Sequence, residues 1–212
     1  MIQSLIHTTR LTLLRLTDTT PGHPHVQYFH EDWSDLDTTS WSLHGPCHSY
    51  QESREWMVDA ITKRDNLYYA VFAKVDGVES TEENPGVHIG SIGLRRQDGP
   101  TLPPPKIDGN EGKEVDLRVI GYAIYKRAWG KGYASEAAKA VLSAYAQSVA
   151  NEKAKGEKVF YVEAGVDEGN PASLAVLKKA GFKEVGWKTE TEAVFLGGAW
   201  RHGGYWIYGQ YV

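Results

Sequence analysis

RAWGKGYASEA, Arg127 to Ala137, is the stretch whose reading decides the rest of this chain. It opens on a basic side chain, passes two glycines one residue apart and ends in an alanine-rich run. Upstream, LRVIGYAIY (Leu117 to Tyr125) has the β-branched and aromatic content of a strand. Downstream, Ala134, Ala137/Ala138, Val141/Leu142, Tyr145 and Val149 recur at spacings of three and four, which predicts an amphipathic helix that Gly156 can end. The glycines therefore join a strand to a helix. At such a junction the unpaired N–H groups of the first helical turn and the positive end of the macrodipole make an anion cradle. Gly130 and Gly132 lack Cβ atoms, so phosphate can approach the backbone and the chain can take φ > 0. Arg127 and Lys131 are positioned in sequence to add charge.

Three phosphate-binding patterns compete for this turn. A P-loop needs Ser or Thr after its Gly-Lys pair, but Lys131 is followed by Gly132, so the magnesium-holding hydroxyl is missing. A dinucleotide fingerprint needs a third glycine where Ser135 stands, and it belongs to the first strand of a βαβ series. The Arg/Gln-x-x-Gly-x-Gly/Ala turn of acyl-CoA-dependent N-acyltransferases is matched by Arg127, Gly130 and Gly132.

Working outward, RLTLLRLTD (Arg10 to Asp18) alternates as a first strand, and Pro21-Gly22 breaks it. A short helix carrying Tyr28, Phe29 and Trp33 fits Val26 to Asp35. Ser49 with Glu52 reads as a capping box ahead of Trp56, Met57, Ala60 and Ile61. Leu67 to Lys74 and Val87 to Arg95 read as two antiparallel strands. Residues 97 to 114 contain Pro103-Pro104-Pro105 and three glycines, which predicts a mobile surface insertion without a ladder. Val159 to Val166 is a further strand, Asn170-Pro171 starts a helix through Lys179, and Gly181-Phe182 stops it. Glu184 to Leu196 and Tyr205 to Val212 supply two last strands.

The totals exclude several classes. A chain of 212 residues with 41% hydrophobic content suits one domain spanning 1–212, and a formal charge of -4 gives no general affinity for nucleic acid or anionic membrane. One cysteine, Cys47, excludes an internal disulfide framework. No signal-type opening and no long apolar span is present, so the expected location is cytoplasmic. His23, His25, His30, His44, His48 and Cys47 match no closed zinc spacing, and no metal is expected. The sequence leaves the oligomeric state open.

GYAIYKRAWGKGYASEA (Gly121 to Ala137) resembles the cofactor segment of the Gcn5-related N-acetyltransferase (GNAT) superfamily, especially the branch similar to ribosomal-protein N-terminal acetyltransferases (RimJ/RimL-like). TTRLTLLRL (Thr8 to Leu16) resembles that branch's first strand, and VEAGVDEGNPASLAVLKKAGFKEVG (Val162 to Gly186) its fifth strand, Asn-x-x-Ser turn, helix and Gly-Phe stop. The resemblance implies an α/β (α+β) fold: a mixed, mainly antiparallel sheet of about seven strands, flanking helices, and a fourth and fifth strand that begin as neighbours and splay apart. It implies acetyl-CoA as cofactor, with the pantetheine arm beside Ile124. The pyrophosphate would lie on the amides from Arg127 to Ala134, a run that includes Trp129, Gly130, Lys131, Gly132 and Tyr133. Asn170 and Ser173 would face the arm from the other side. The implied activity is transfer of acetyl to a primary amine, of a protein N-terminus or a small molecule, by direct attack on the thioester, with a backbone N–H near Ile124 stabilising the oxyanion.

The chain departs from the family pattern at two places. The helix position that carries a tyrosine acid in many relatives is Leu177 here, and Ser173, one turn earlier, is the substitute. The glutamate that often precedes the Gly-Tyr of the fourth strand is replaced by Val119 ahead of Ile120-Gly121-Tyr122. Glu163 and Asp116 are the candidate bases, with a water chain as the alternative. Trp33 and Trp41 are expected to line the acceptor groove, which the 97–114 insertion would gate or merely border. Loss of acid and base also leaves a rival reading, a catalytically silent acyl-CoA-binding or interaction module.

Overall fold

The computed structural model describes residues 2–212. Eight strands form one sheet: β1 Leu5–His7, β2 Leu11–Arg15, β3 Leu67–Ala73, β4 Val87–Gln97, β5 Glu114–Ile124, β6 Lys158–Val166, β7 Lys183–Leu196 and β8 Ala199–Tyr211, in the order β1-β2-β3-β4-β5-β6-β8-β7. The strand beyond the expected seven is the three-residue β1, too short to show an alternation. The sheet is antiparallel except where β5 meets β6. Helices α1 Pro24–Ser34, α2 Leu36–Thr39 and α3 Tyr50–Val58 lie on one face; α4 Tyr133–Lys155 and α5 Pro171–Lys179 lie on the other.

Alternation along the strands supplies both faces with apolar surface. Leu11, Leu13, Ile92, Leu94, Ile120 and Val162 pack with Ala137, Ala138, Val141 and Tyr145 of α4. Leu14, Leu16, Ala70 and Phe72 pack with Val26 and Phe29 of α1 and Met57 of α3. Helix α4 begins at Gly132 and ends at Gly156, both in the left-handed region, as the sequence indicates. Ser49 caps α3 by accepting from Glu52 N (3.1 Å), but the Glu52 carboxylate takes His48 N (2.7 Å), one residue ahead of the reciprocal capping-box donor. Of the histidines outside the site, buried His25 accepts from Thr17 N and Asp18 N, and exposed His44 stacks on Trp56 at 3.6 Å. Among the described residues no group of His, Cys, Asp or Glu is arranged to hold a metal ion, and no helix is long and apolar enough to cross a membrane.

Two boundaries differ from the sequence reading. The insertion does contribute to ladders at its ends, since Gln97 pairs with Leu117 and Glu114 with Lys158. Its first half also lies on the sheet rather than free of it: Thr101 donates to Glu163, Tyr211 Oη donates to Pro105 O at 3.1 Å, and Leu102 packs near Gly186. The last hairpin is longer than expected, because β8 starts at Ala199 rather than Tyr205. Its Gly197-Gly198 turn reaches across the sheet to the segment after α2, where Gly197 N donates to Ser40 O (2.8 Å). An added Cβ at Gly197 would fall 2.2 Å from the Trp41 ring, so this close approach requires glycine.

Candidate active site

The site is built on the one parallel pair of the sheet. β5 and β6 pair from Glu114↔Lys158 to Val119↔Glu163 and no further. β5 then runs on to Ile124 paired only with β4, and β6 to Val166 paired only with β8. Tyr125 N donates to Ile89 O of β4, so by strand alternation the N–H and C=O groups of Tyr122 and Ile124 face the gap. Such groups need partners once water is excluded. One already has one: Ile124 O accepts from the Trp129 indole N–H at 2.5 Å, which sets Trp129 at the mouth of the gap.

The turn that follows carries two left-handed glycines and a run of unpaired N–H groups. Gly130 and Gly132 take φ of +74° and +78°, and neither site would place a Cβ against another part of the fold closer than 3.6 Å. Ala128 N and Trp129 N are used inside the short turn Lys126–Ala128, bonding Tyr125 O and Lys126 O. From Gly130 to Ser135 no N–H has a hydrogen-bond partner among the described residues, and Glu136 N is the next to be engaged, by Gly132 O at 3.2 Å. Six consecutive unpaired donors thus lead into the N-terminus of α4. Arg127 N has no hydrogen-bond partner among the described residues either, but Ala128 N and Trp129 N separate it from the run that begins at Gly130. Beside it lies a hollow of about 390 Å³ lined by Gly132, Ser135, Glu136, Lys139 and Lys179.

Arg127 is not part of this cradle. Its guanidinium donates to His88 O at 2.7 Å and lies 4.2 Å over the Tyr125 ring. The side chain turns to the α1 face because a cation finds there the Tyr125 ring and the carboxylate of Glu31. The cations next to the amides are instead Lys139 and Lys179, which sequence reasoning missed. Lys139 lies seven residues into α4 and Lys179 closes α5, so only the packing of the two helices shows them together. Lys131 is exposed, Ala134 is half-buried, and the half-buried Tyr133 ring has the Arg10 guanidinium over it at 4.9 Å.

On the helix face of the gap, Asn170 Oδ1 accepts from Ser173 N (3.0 Å), so Asn170 caps α5. Ser173 Oγ is 2.7 Å from the Tyr122 hydroxyl, which also donates to Ser173 O at 3.1 Å. Tyr122 therefore bridges the gap from β5 to α5, and any arm lying along β5 shares the gap with this phenol. Burial pushes its pKa up to about 12, against a small opposing effect of Ser173, so the phenol stays protonated at neutral pH. Sequence reading left Tyr122 without a role, although its place in the Gly-Tyr ahead of the glycine turn was the available signal. Leu177 is fully in the core and offers no proton.

Neither candidate base is free. Glu163 is 1% exposed, and its carboxylate receives Thr101 Oγ1 (2.5 Å), Thr101 N (3.1 Å) and Gln97 Nε2 (3.2 Å). It sits opposite Val119, at the vertex of the splay, and anchors the insertion. Asp116 accepts from Tyr145 Oη (2.9 Å) beneath α4, at a position of β5 still paired with β6. Of the two tryptophans, Trp41 is clasped by the hairpin turn with Arg201 4.9 Å over its ring. Trp33 packs instead within the α1–α3 layer, 4.0 Å from Trp56.

The α1 face holds a buried polar cluster. His88 of β4 contacts Glu31 at 2.9 Å and Asp32 at 3.4 Å, and Asp32 is 2% exposed with both oxygens lacking a hydrogen bond. Complete burial holds Asp32 above its ordinary range, while for His88 burial is outweighed by the two carboxylates, which raise it. The two carboxylates thus favour the protonated imidazole, and His88 in turn opposes the effect of burial on Asp32.

A mixed sheet that parts between two parallel strands, with a run of unpaired N–H groups in the turn at the head of the gap, places the chain in the α/β class. The chain belongs to the acetyltransferase (GNAT) domain family, whose pattern matches residues 10–183. It is accordingly an N-acetyltransferase. No curated protein is significantly similar in sequence. Solved structures of similar fold include the Salmonella typhimurium acetyltransferase that modifies the N-terminal serine of ribosomal protein L7/L12, with TM-score 0.63, 18% identity, and 98% of this chain and 99% of that chain covered. The spermidine N-acetyltransferase of Vibrio cholerae, in complex with CoA and spermine, gives TM-score 0.60 and 17% identity over 97% and 96%. An acetyltransferase from Bacillus anthracis gives 0.58 and 19% over 98% and 97%.

Proposed function

We propose that the whole chain, as one domain acting in the cytoplasm, transfers acetyl from acetyl-CoA to a primary amine. The observation that carries this is the run of unpaired N–H groups from Gly130 to Ser135 at the head of the β5/β6 gap. A diphosphate satisfies those donors, with Lys139 and Lys179 beside it. Acetyl-CoA supplies the thioester carbon that the neutral amine attacks. The N–H groups of Tyr122 and Ile124 are the gap-facing donors for the arm and for the oxygen on which charge develops.

Tyr122, held by Ser173, faces the sulfur's side of the gap in this reading. A phenol at about 12 is a weaker acid than an alkyl thiol at about 8.5, so complete proton transfer to a thiolate is uphill by about 5 kcal/mol. Tyr122 therefore stabilises the departing thiolate by turning its one O–H from Ser173 O to the sulfur, while Ser173 Oγ, 2.7 Å from the phenol oxygen, holds the ring in place rather than acting as the acid. Glu163 serves as an anchor, and the attacking amine loses its proton to water. An α-amine, at about 8, needs little help in this, and a lysine-type amine, at about 10.4, needs more.

The acceptor class divides between a protein N-terminus and a small amine, as in the relatives of similar fold. Release of CoA from acetyl-CoA, followed over a panel of N-terminal peptides, polyamines and amino sugars, tests the reading. Tight acetyl-CoA binding with no release for any amine would refute transfer.

A further inference from the structure

We infer that Arg10, the residue just ahead of β2, is a positioning residue for the diphosphate cradle, an inference that rests on the cofactor reading above. The cradle contains an apparent contradiction: Glu136, in the first turn of α4, puts a carboxylate beside amides that are to receive phosphate. Left unpaired, it would compete for the helix N-terminus and repel the anion.

Arg10 resolves this from another element of the fold. Its Nε and Nη2 lie 2.7 and 2.6 Å from Glu136 Oε2, and its backbone N donates to Oε1 at 3.0 Å. Thr8 Oγ1 adds a donor at 2.6 Å. Burial alone would raise the Glu136 pKa, but these hydrogen bonds and the guanidinium charge outweigh it and hold the carboxyl below its ordinary value. Glu136 is thus ionised and fully matched. The third arm of the guanidinium, Nη1, donates to Lys131 O at 2.9 Å. That bond fixes the peptide between the two left-handed glycines, pulling its carbonyl to the β2 side of the turn. The guanidinium also lies against the bare face of Gly132, where Nη2 would be 3.6 Å from an added Cβ.

An exposed ion pair is worth little on its own. This one is a planar fork on a carboxylate with a further arm on a loop carbonyl, a geometry lysine cannot reproduce. The segment Thr8–Leu11 that carries it is itself fixed, since Leu11 N donates to Thr8 Oγ1 (2.9 Å) and Lys74 N to Arg10 O (2.9 Å).

The test compares acetyl-CoA with acetyl-pantetheine, a donor that carries the same thioester and no phosphate. Arg10→Ala is expected to raise KM for acetyl-CoA at least 10-fold, with the loss in KM rather than kcat, and to leave kcat/KM for acetyl-pantetheine within about twofold. Adding Glu136→Gln to Arg10→Ala removes the stranded carboxylate and is expected to recover at least fivefold in CoA affinity by calorimetry. Arg10→Lys, which keeps charge without the fork, is expected to fall between wild type and Arg10→Ala, and it serves if the alanine variant does not fold. Equal losses with both donors, or no recovery in the double variant, would overturn the inference. Failure of wild-type protein to bind CoA would instead overturn the cofactor reading.

Discussion

Replacing Gly132 by valine separates the cradle from the fold. Gly132 sits at φ +78°, and its missing Cβ would meet only Arg10 Nη2, at 3.6 Å, so the methyl groups of valine press on the far end of a flexible side chain rather than on backbone. The cost to folding is the left-handed backbone, roughly 1–2 kcal/mol and somewhat more for a β-branched side chain. A domain stable by about 5–15 kcal/mol tolerates that. For the cofactor, the isopropyl group crowds the turn and displaces the Arg10 guanidinium that lies against Gly132. Losing two charge-assisted N–H bonds, at about 1.5–3 kcal/mol each, weakens binding by about 3–6 kcal/mol, roughly 10²- to 10⁴-fold. Gly156→Val is the control: Gly156 has φ +76° with open space around it, at the far end of α4. Calorimetry with CoA and thermal unfolding of both variants check this. Both should lose similar stability, and only Gly132→Val should lose affinity. CoA affinity within threefold of wild type in Gly132→Val would show that the diphosphate is not held there.

Tyr122→Phe is expected to lower kcat by about 10- to 150-fold, the worth of one hydrogen bond to a charged group, while KM for acetyl-CoA changes little. Because its pKa is about 12, wild-type kcat should show no alkaline loss from this phenol below about pH 11, and an unchanged kcat in the variant would remove Tyr122 from the chemistry. His88 makes stability pH-dependent. Its folded pKa lies above 6.5, since Asp32 and Glu31 outweigh burial, so its contribution is complete below about pH 6.5 and is lost as pH rises through the folded value. Thermal midpoints should fall over that alkaline climb in wild type and less in His88→Gln; parallel curves would show that the cluster does not hold the proton.

Much of the architecture is legible in the sequence because it is local. The spacing of Ala134, Ala137, Val141 and Tyr145, with Gly132 and Gly156 at the ends, specifies α4 within one stretch of chain. Asn170-Pro171 specifies the start of α5 in the same way, and the glycine pair specifies the turn. What the sequence could not determine depends on residues far apart in it. Glu163 reads as an isolated acid in an apolar strand, and only the return of Thr101, 62 positions earlier, shows that it is buried and anchored. Arg127 reads as a phosphate ligand from its offset to Gly130, but its side chain lies on the opposite face, against the Tyr125 ring and His88 O.

The same division holds for the site. The order of residues alone determined a strand, a two-glycine turn and a helix whose first amides have no partner, since backbone periodicity and the needs of φ > 0 are properties of neighbouring residues. Tertiary structure decided which side chains surround that turn: Arg10 against Glu136, Lys139 beside Lys179, and Tyr122 reaching Ser173 across 51 positions. Such pairings depend on the orientation of two elements packed on one sheet, and that orientation comes from burial summed over the whole core.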